Sequence, residues 1–334
     1  MPFAEVFGHH RLISLLKRSI ASGTLPPSLL FVGPAGVGKR KTAIAVAQAL
    51  NCERARGSGA DGCGECAACR RIERGVHPDV PIVEPGDNGS IKIDQVRDIV
   101  ERAAYRPFEG RRRVVIVDEA DALVPAAQNA LLKTLEEPPP SSIFILVTSR
   151  PDVLLPTVRS RCPQLRFRPL AADDIAAALV ARGRGDSEAR AVAATADGSL
   201  GRAIEASAGE LVEARDVAHR VLAQAAAQPD AARRIGGAQA LLPKTNRSAA
   251  DDRDHVARQL RAMASLLRDV GVLATGADAS ALANPDLRQA LDRLTVAYRG
   301  DRGVRAFGAI AEALVALERN VGVKVIADWL MVQL

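Results

Sequence analysis

The stretch from Leu29 to Leu50 constrains this chain more than any other. Leu29 to Val32 is an apolar run that ends in Gly33-Pro34-Ala35-Gly36-Val37-Gly38-Lys39, and Lys41 to Leu50 then reads as a helix. Strand, glycine-rich turn and helix, in that order, are the setting a phosphate-binding loop requires. Glycines let successive backbone N–H groups converge on phosphate oxygens, and the helix N-terminus adds positive potential. Gly33, Gly36, Gly38 and Lys39 are therefore the candidate nucleotide-binding residues, with Lys39 placed to reach the terminal phosphates. The motif ordinarily closes with Ser or Thr, whose hydroxyl ligates magnesium. Here Arg40 stands in that position, and a guanidinium repels a cation instead of ligating it. The next hydroxyl, Thr42, points about 200° further round the helix. Such a loop is compatible with a retained or a lost ATP–magnesium site. It argues against independent hydrolysis, because the metal ligand is part of the mechanism.

The rest of the first half alternates strand-like and helix-like segments. Val80 to Val83 is a possible strand, Val114 to Val117 a clear one and Ile143 to Val147 another. Ile93, Val96, Ile99, Val100 and Ala103 lie at helical spacing, and Ala126 to Leu135 reads as a helix stopped by Pro138, Pro139 and Pro140. Buried strands alternating with helices predict an α/β domain with a parallel sheet covered on both faces. The run Val114 to Val117 pushes Asp118 and Glu119 out at a strand's carboxyl end, where such sheets bind ligands. In an active enzyme Asp118 would hold the magnesium water shell and Glu119 would polarise the attacking water. A plain helix-capping acidic cluster is the alternative.

After Pro169 the strand signals fade. Asp173 to Val180 and Ser187 to Ala196 read as short helices with a break at Gly198, and the chain from about Gly209 is Ala- and Leu-rich. Ala257, Leu260, Met263, Leu266 and Leu267 form a helical apolar stripe, whereas polar Leu242 to Asp254 is expected to be a loop. The expected organisation is a nucleotide-binding-type domain over 1–169, a small helical lid over 170–208 and a helical oligomerisation domain over 209–334.

Cys52, Cys63, Cys66 and Cys69 have the spacing C-x10-C-x2-C-x2-C, with Gly59, Gly62 and Gly64 loosening the loop around them. Tight C-x2-C pairs suit a tetrahedral zinc, and four protein ligands would make it structural. An iron–sulfur cluster also takes four cysteines, and buried free thiols are the plainer alternative. Cys162 stands apart and reads as a packing residue.

Composition excludes more than it assigns. The 334 residues carry 48% hydrophobic side chains, enough for several cores. No run of about 18 apolar residues exists, so no membrane span is expected. Met1 to Glu5 lacks a secretory start, which with the five cysteines predicts a cytoplasmic protein without a disulfide scaffold. The net charge of +6 suits a nucleic-acid-associated protein. Lys, however, supplies only seven of the 45 cationic residues, which reads as coding bias. No dense basic stretch with interleaved aromatics is recognised, so charge alone does not argue for DNA binding.

Ala130-Leu131-Leu132-Lys133-Thr134-Leu135-Glu136-Glu137-Pro138-Pro139, followed by Ser160-Arg161-Cys162, resembles the clamp-loader branch of the AAA+ ATPases. That branch takes in the gamma/tau and delta-prime subunits of the bacterial DNA polymerase III loader and replication factor C of eukaryotes. The resemblance covers Phe3 to Leu170. Within the branch, His77-Pro78-Asp79 and the altered phosphate loop are similar to delta-prime subunits more than to gamma/tau. The resemblance implies an AAA+ domain with a lid and a helical collar. It implies a place in a heteropentameric ring with gamma/tau and delta subunits, loading the sliding clamp on primed DNA for a DNA-directed DNA polymerase holoenzyme. It also implies site roles. Ser149 matches the sensor-1 position, Arg202 in Gly198-Ser199-Leu200-Gly201-Arg202 matches sensor-2, and Val6-Phe7-Gly8-His9 resembles the segment bordering the adenine pocket. Arg161 matches an arginine finger acting in trans on a neighbour's ATP. An active gamma/tau-type ATPase and a zinc-dependent DNA-binding protein stand as the other readings. Magnesium-dependent hydrolysis, or zinc-dependent DNA binding, by the isolated chain separates them from the first.

Overall fold

The computed structural model describes residues 2–54, 61–86, 88–196, 198–205, 208–228, 230–243, 248–276, 282, 284, 287–318 and 321–334. They fall into two compact units, Met1–Asp174 with Gly198–Gly201, and Ile175–Asp197 with Arg202–Leu334.

The first unit is built on five parallel strands, β1 (Ser28–Val32), β2 (Ile82–Val83), β3 (Arg113–Val117), β4 (Ser142–Thr148) and β5 (Gln164–Arg166), in the order β2-β3-β4-β1-β5. Its helices are α1 (His10–Ala21), α2 (Lys39–Asn51), α3 (Ala67–Glu73), α4 (Ile93–Ala103), α5 (Pro125–Glu136) and α6 (Pro156–Arg161). Side chains alternate across each strand, and two cores follow from that. Leu29, Phe31, Val114, Ile116 and Ile145 pack with α1 and α2 through Ile13, Leu16, Ala43 and Val46. Leu30, Val115, Val117, Phe144 and Leu146 pack with α4 and α5 through Val96, Ile99, Ala127 and Leu131. The expected parallel sheet covered on both faces is what forms.

Three differences from the sequence reading have local causes. The strand expected over Val80 to Val83 shortens to Ile82–Val83, because the Val80 N–H closes a turn on the His77 carbonyl at 3.0 Å. Edge strand β5 is only three residues long and mostly exposed, so it carries no apolar run to read. The loop expected over Leu242 to Asp254 ends early, since a helix starts at Ala249. Ser248 caps it: its Oγ accepts from the Asp251 N–H at 3.2 Å, and the Asp251 carboxylate accepts from the Ser248 N–H at 3.3 Å. The polar residues read as loop are thus a capping box and an acidic first turn. Residues 244–247 and Gly59 lie outside the described residues.

Among the described residues, the regular elements of the second unit are all helices. It holds α7 (Ala172–Val180) from Ile175 onward, α8 (Asp186–Thr195) and α9 (Leu200–Glu205) from Arg202 onward. There follow α10 (Ala208–Ala227), α11 (Ala231–Ile235), α12 (Ala249–Ala274), α13 (Arg288–Ala297), α14 (Asp301–Glu318) and α15 (Val323–Gln333). The stripe Ala257, Leu260, Met263, Leu266 and Leu267 on α12 is buried as expected, against Val221 and Leu222 of α10, Ile310 of α14 and Leu330 of α15. Among the described residues no helix is long and apolar enough to cross a membrane.

One buried carboxylate organises the lower rim of the sheet. Asp79 is fully buried and accepts from the N–H groups of Phe108, Glu109 and Gly110 at 2.7, 2.9 and 2.8 Å. Arg113, at the start of β3, donates to it at 2.9 Å and also to the carbonyls of Arg102, Tyr105 and Arg106. Burial alone would raise the Asp79 pKa; the three N–H donors and the guanidinium outweigh it and bring it to about 2. A folded value below the ordinary 3.8 means that this stabilisation is complete above about pH 4 and fades as pH falls toward about 2. Asp79→Asn strands the buried Arg113 charge and should cost on the order of 3 kcal/mol at neutral pH. Amide hydrogen exchange at Phe108, Glu109 and Gly110 reads the loss. Protection in the variant equal to wild type at pH 7, or a difference that grows on acidification, contradicts the assignment.

Candidate functional site

The loop after β1 turns on glycines. Gly36 and Gly38 adopt φ of +74° and +102°, which L side chains reach only with strain. A Cβ on Gly36 would also meet Ser199 Oγ at 2.1 Å. The Gly201 N–H donates to the Gly36 carbonyl at 2.9 Å, so the segment Gly198–Gly201 braces the loop within the first unit. Lys39 opens α2 and is buried, donating to the Gly33 and Pro34 carbonyls at 2.6 and 2.5 Å. Thr42 is buried too and donates back to the Gly38 carbonyl at 2.9 Å, as its helical position predicts.

Arg40 defines the electrostatics. Its guanidinium pairs with Asp118 Oδ2 at 3.2 Å and with the Glu84 carboxylate. A fixed organic cation therefore lies on the carboxylate that would hold magnesium. Glu84 was not anticipated, yet the sheet register explains it: Val83 of β2 pairs with Val117 of β3, so the residue after each stands at the same rim. Burial pushes the Asp118 carboxyl up against the opposing pull of Arg40. Burial and the neighbouring Asp118 and Asp121 push Glu119 up as well. Glu119 itself has a left-handed φ of +47°, a strained conformation for a residue with a side chain.

At the end of β4, Thr148 Oγ1 donates to Asp121 at 2.7 Å, and the Ser149 N–H does so at 3.3 Å. Arg150 Nε adds a third donor at 2.9 Å. Burial raises the Asp121 pKa, but the Thr148 and Arg150 hydrogen bonds prevail and leave it below the ordinary range. Ser149 thus sits beside the acidic cluster. The segment Val6 to His9 lies on the phosphate loop: His9 Nε2 donates to the Val37 carbonyl at 3.0 Å, and its ring meets Phe167 edge-on at 4.9 Å. Burial lowers the His9 pKa.

The other two expected residues lie on α6 and α9. Arg161 ends α6, where it donates to the Thr157 carbonyl and to Glu136 Oε2, both at 3.1 Å. Both side chains of that pair are partly exposed, so it holds Arg161 by no more than about 1 kcal/mol. Arg202 belongs to α9 in the second unit.

The four cysteines converge. Cys52 follows α2, Cys66 caps α3 and the four sulfurs all lie within 4.8 Å of one another. A tetrahedron of thiolates around zinc has edges of about 3.8 Å, so the set fits a metal. Backbone N–H groups of Cys63, Glu65, Cys66 and Cys69 point at the sulfurs of Cys52, Cys63, Cys63 and Cys66 at 3.3–3.5 Å. Burial opposes ionisation of Cys63, yet the N–H groups of Cys66 and Glu65 bring its pKa down to about 6, while burial raises that of Cys69. Gln48 of α2 anchors the cluster by donating to the Cys69 carbonyl at 2.9 Å. Cys162 is buried in the α4–α5 core, and burial pushes its thiol up to about 11, in keeping with a packing role.

A phosphate loop after the first strand and paired acids after the third, on a parallel sheet, define a nucleotide-binding-type α/β domain. Residues 8–171, just under half of the chain, match the family described as DNA polymerase III, delta subunit, and the chain is similar over that segment to DNA polymerase III subunits. The delta' subunit of Pseudomonas aeruginosa is 44% identical over 136 residues, 40% of this chain and 41% of that protein. The delta' subunit of Bacillus subtilis is 38% identical over 160 residues, 48% of this chain and 47% of that protein. The gamma/tau subunit of Mycobacterium tuberculosis is 39% identical over 168 residues, 50% of this chain and 29% of that protein. The chain thus spans less than half the length of each of these relatives.

The cysteine geometry gives a direct test. Protein purified without chelator should carry one metal equivalent by elemental analysis, and Cys66→Ser/Cys69→Ser should carry none. Metal content unchanged in the double variant would rule the cluster out as its site.

Proposed function

We propose that this chain is a delta-prime-type clamp-loader subunit that does not hydrolyse ATP itself and supplies Arg161 to a neighbouring ATPase subunit. The observation that carries this reading is Arg40 seated on Asp118 and Glu84. Hydrolysis needs a divalent ion at that place to bridge the phosphates, and a guanidinium there excludes one electrostatically. The chain's use to the loader then lies in what it gives its neighbours. Developing charge on the γ-phosphate oxygens is matched by a planar, bidentate guanidinium. Arg161, held by a partly exposed pair with Glu136 and a hydrogen bond to the Thr157 carbonyl, is released to such a partner at modest cost.

The partners in this reading are gamma/tau and delta subunits, the sliding clamp, and primed DNA reached through the complex. The 1–169, 170–208 and 209–334 regions serve as AAA+ domain, lid and collar, with Ser149 and Arg202 as remnants of the sensor positions. The cysteine cluster holds a structural zinc, closed by four thiolates. The similarity to gamma/tau subunits keeps one second reading in play, an active ATPase of that type.

One experiment separates the two. The isolated chain should show no magnesium-dependent turnover approaching the roughly 1 per second low end of ordinary enzymes. Assembled with wild-type partners, Arg161→Ala and Arg161→Lys should both slow DNA- and clamp-stimulated hydrolysis by about 10³-fold while the complex stays intact. Lys39-dependent turnover by the chain alone establishes the second reading, and wild-type rates in the alanine complex reduce Arg161 to a structural residue.

The collar assignment draws support from α15. Val325, Trp329 and Val332 recur at helical spacing and are exposed, Val325 by 64%, while Ile326, Ala327, Leu330 and Met331 on the same helix are buried. An outward stripe of that kind fits a subunit interface. Val325→Asp/Trp329→Ser should leave the helical content unchanged and abolish co-purification with partner subunits; co-purification at full strength would refute the assignment.

A further inference from the structure

Tyr105 and Phe108 have no packing task. They are 66% and 83% exposed, in a chain with only seven Phe and two Tyr, so two of its nine such rings face water on one loop. The backbone beneath them is held firmly. Phe108, Glu109 and Gly110 donate to buried Asp79, and Asn51 Oδ1 accepts from the N–H groups of Arg111 and Arg112 at 2.8 and 3.0 Å. The rings therefore stand on a rigid base and lose little freedom when something covers them.

Their surroundings select the kind of partner. Arg106, Arg111 and Arg112 are exposed on the same loop. Arg70 and Arg74 are exposed on α3, which is tied to the loop by Arg71 to Glu109 at 2.8 Å. Arg70, Arg74 and Arg106 form no ion pair among the described residues, and Arg111 and Arg112 donate to the carbonyls of Cys52 and Pro140. Exposed aromatic planes amid arginines that no carboxylate neutralises match a chain of bases on phosphates. Stacking accepts any base, and the cations follow the backbone. A protein partner would equally cover the rings, but nothing in it requires this excess of unpaired positive charge.

We propose that the loop 105–112, with the neighbouring arginines of α3, is a stacking platform for single-stranded nucleic acid. The proposal stands on this surface alone and is independent of the loader reading.

The test is fluorescence anisotropy of a labelled oligothymidylate of about 20 nucleotides with the full-length chain. Wild type should bind it, more tightly than a duplex of equal length, with affinity falling as salt rises. Tyr105→Ala/Phe108→Ala should weaken binding by about tenfold or more. Arg106→Ala/Arg111→Ala should lower the salt slope by about 0.7 per arginine removed. Phe108→Trp should keep the affinity, and its emission should be quenched by the oligonucleotide, which also guards against a misfolded alanine variant. The proposal is overturned if the aromatic pair can be removed without loss, or if duplex binds equally well. It is also overturned if the alanine variant keeps its oligonucleotide affinity while losing a protein partner, which would make this a protein interface.

Discussion

In the sheet of the first unit, Val83 pairs with Val117, Val117 with Leu146, and Val32 with Thr148. Parallel strands in register end at one rim, and each hands its next residue to the same side. Glu84, Asp118, Gly33 and Ser149 are those next residues. Four sequence-distant segments thereby meet through the backbone bonds of the sheet, such as the Asp118 N–H to the Val83 carbonyl at 2.9 Å and the Gly33 N–H to the Thr148 carbonyl at 3.3 Å. The rim is also where helix N-termini gather, which draws charged groups to it.

A site assembled in this way has to balance its charges. Asp118, Glu119, Asp121 and Glu84 converge there, and burial with mutual repulsion pushes Asp118 and Glu119 toward their neutral forms. Lys39 is turned onto its own loop carbonyls. Arg40 and Arg150 provide the compensation, the first on Asp118 and Glu84, the second on Asp121. The positive charge next to Asp118 and Glu84 is thus a covalently attached one. That charge offsets the repulsion between the acids and helps keep the rim intact.

Much of this was legible in the sequence. The phosphate loop, the acids after β3 and the four clustered cysteines rest on short-range spacing, and each appears where spacing put it. Arg40 was readable as a missing ligand, but its pairing with Glu84 was not, because the brief β2 offers only two strand residues to reveal its register. Asp79 looked like part of a family signature; its role comes from three N–H groups about 30 residues away, which no local pattern encodes. The run Tyr105 to Arg113 shows a different failure. Its two aromatics and four arginines carry no sequence signal of a surface, because exposure, the property that matters there, is set by the buried anchor below it. The capped start of α12 was missed for the opposite reason: capping boxes are polar, and polarity was read as absence of structure.

The pairing at the rim also decides what a single reversal can achieve. Replacing Arg40 with threonine restores a hydroxyl ligand but removes the charge nearest to Asp118 and Glu84. Four carboxylates would then face an incoming triphosphate, with Arg150 alone still paired at that edge, to Asp121. Until magnesium binds, their field opposes the nucleotide. The two halves of the site are coupled in the way neighbouring charges are, and their effects do not add. The electrostatics at this rim therefore belong to Glu84, Asp118 and Arg40 together, and no one of them can be changed alone without altering the other two.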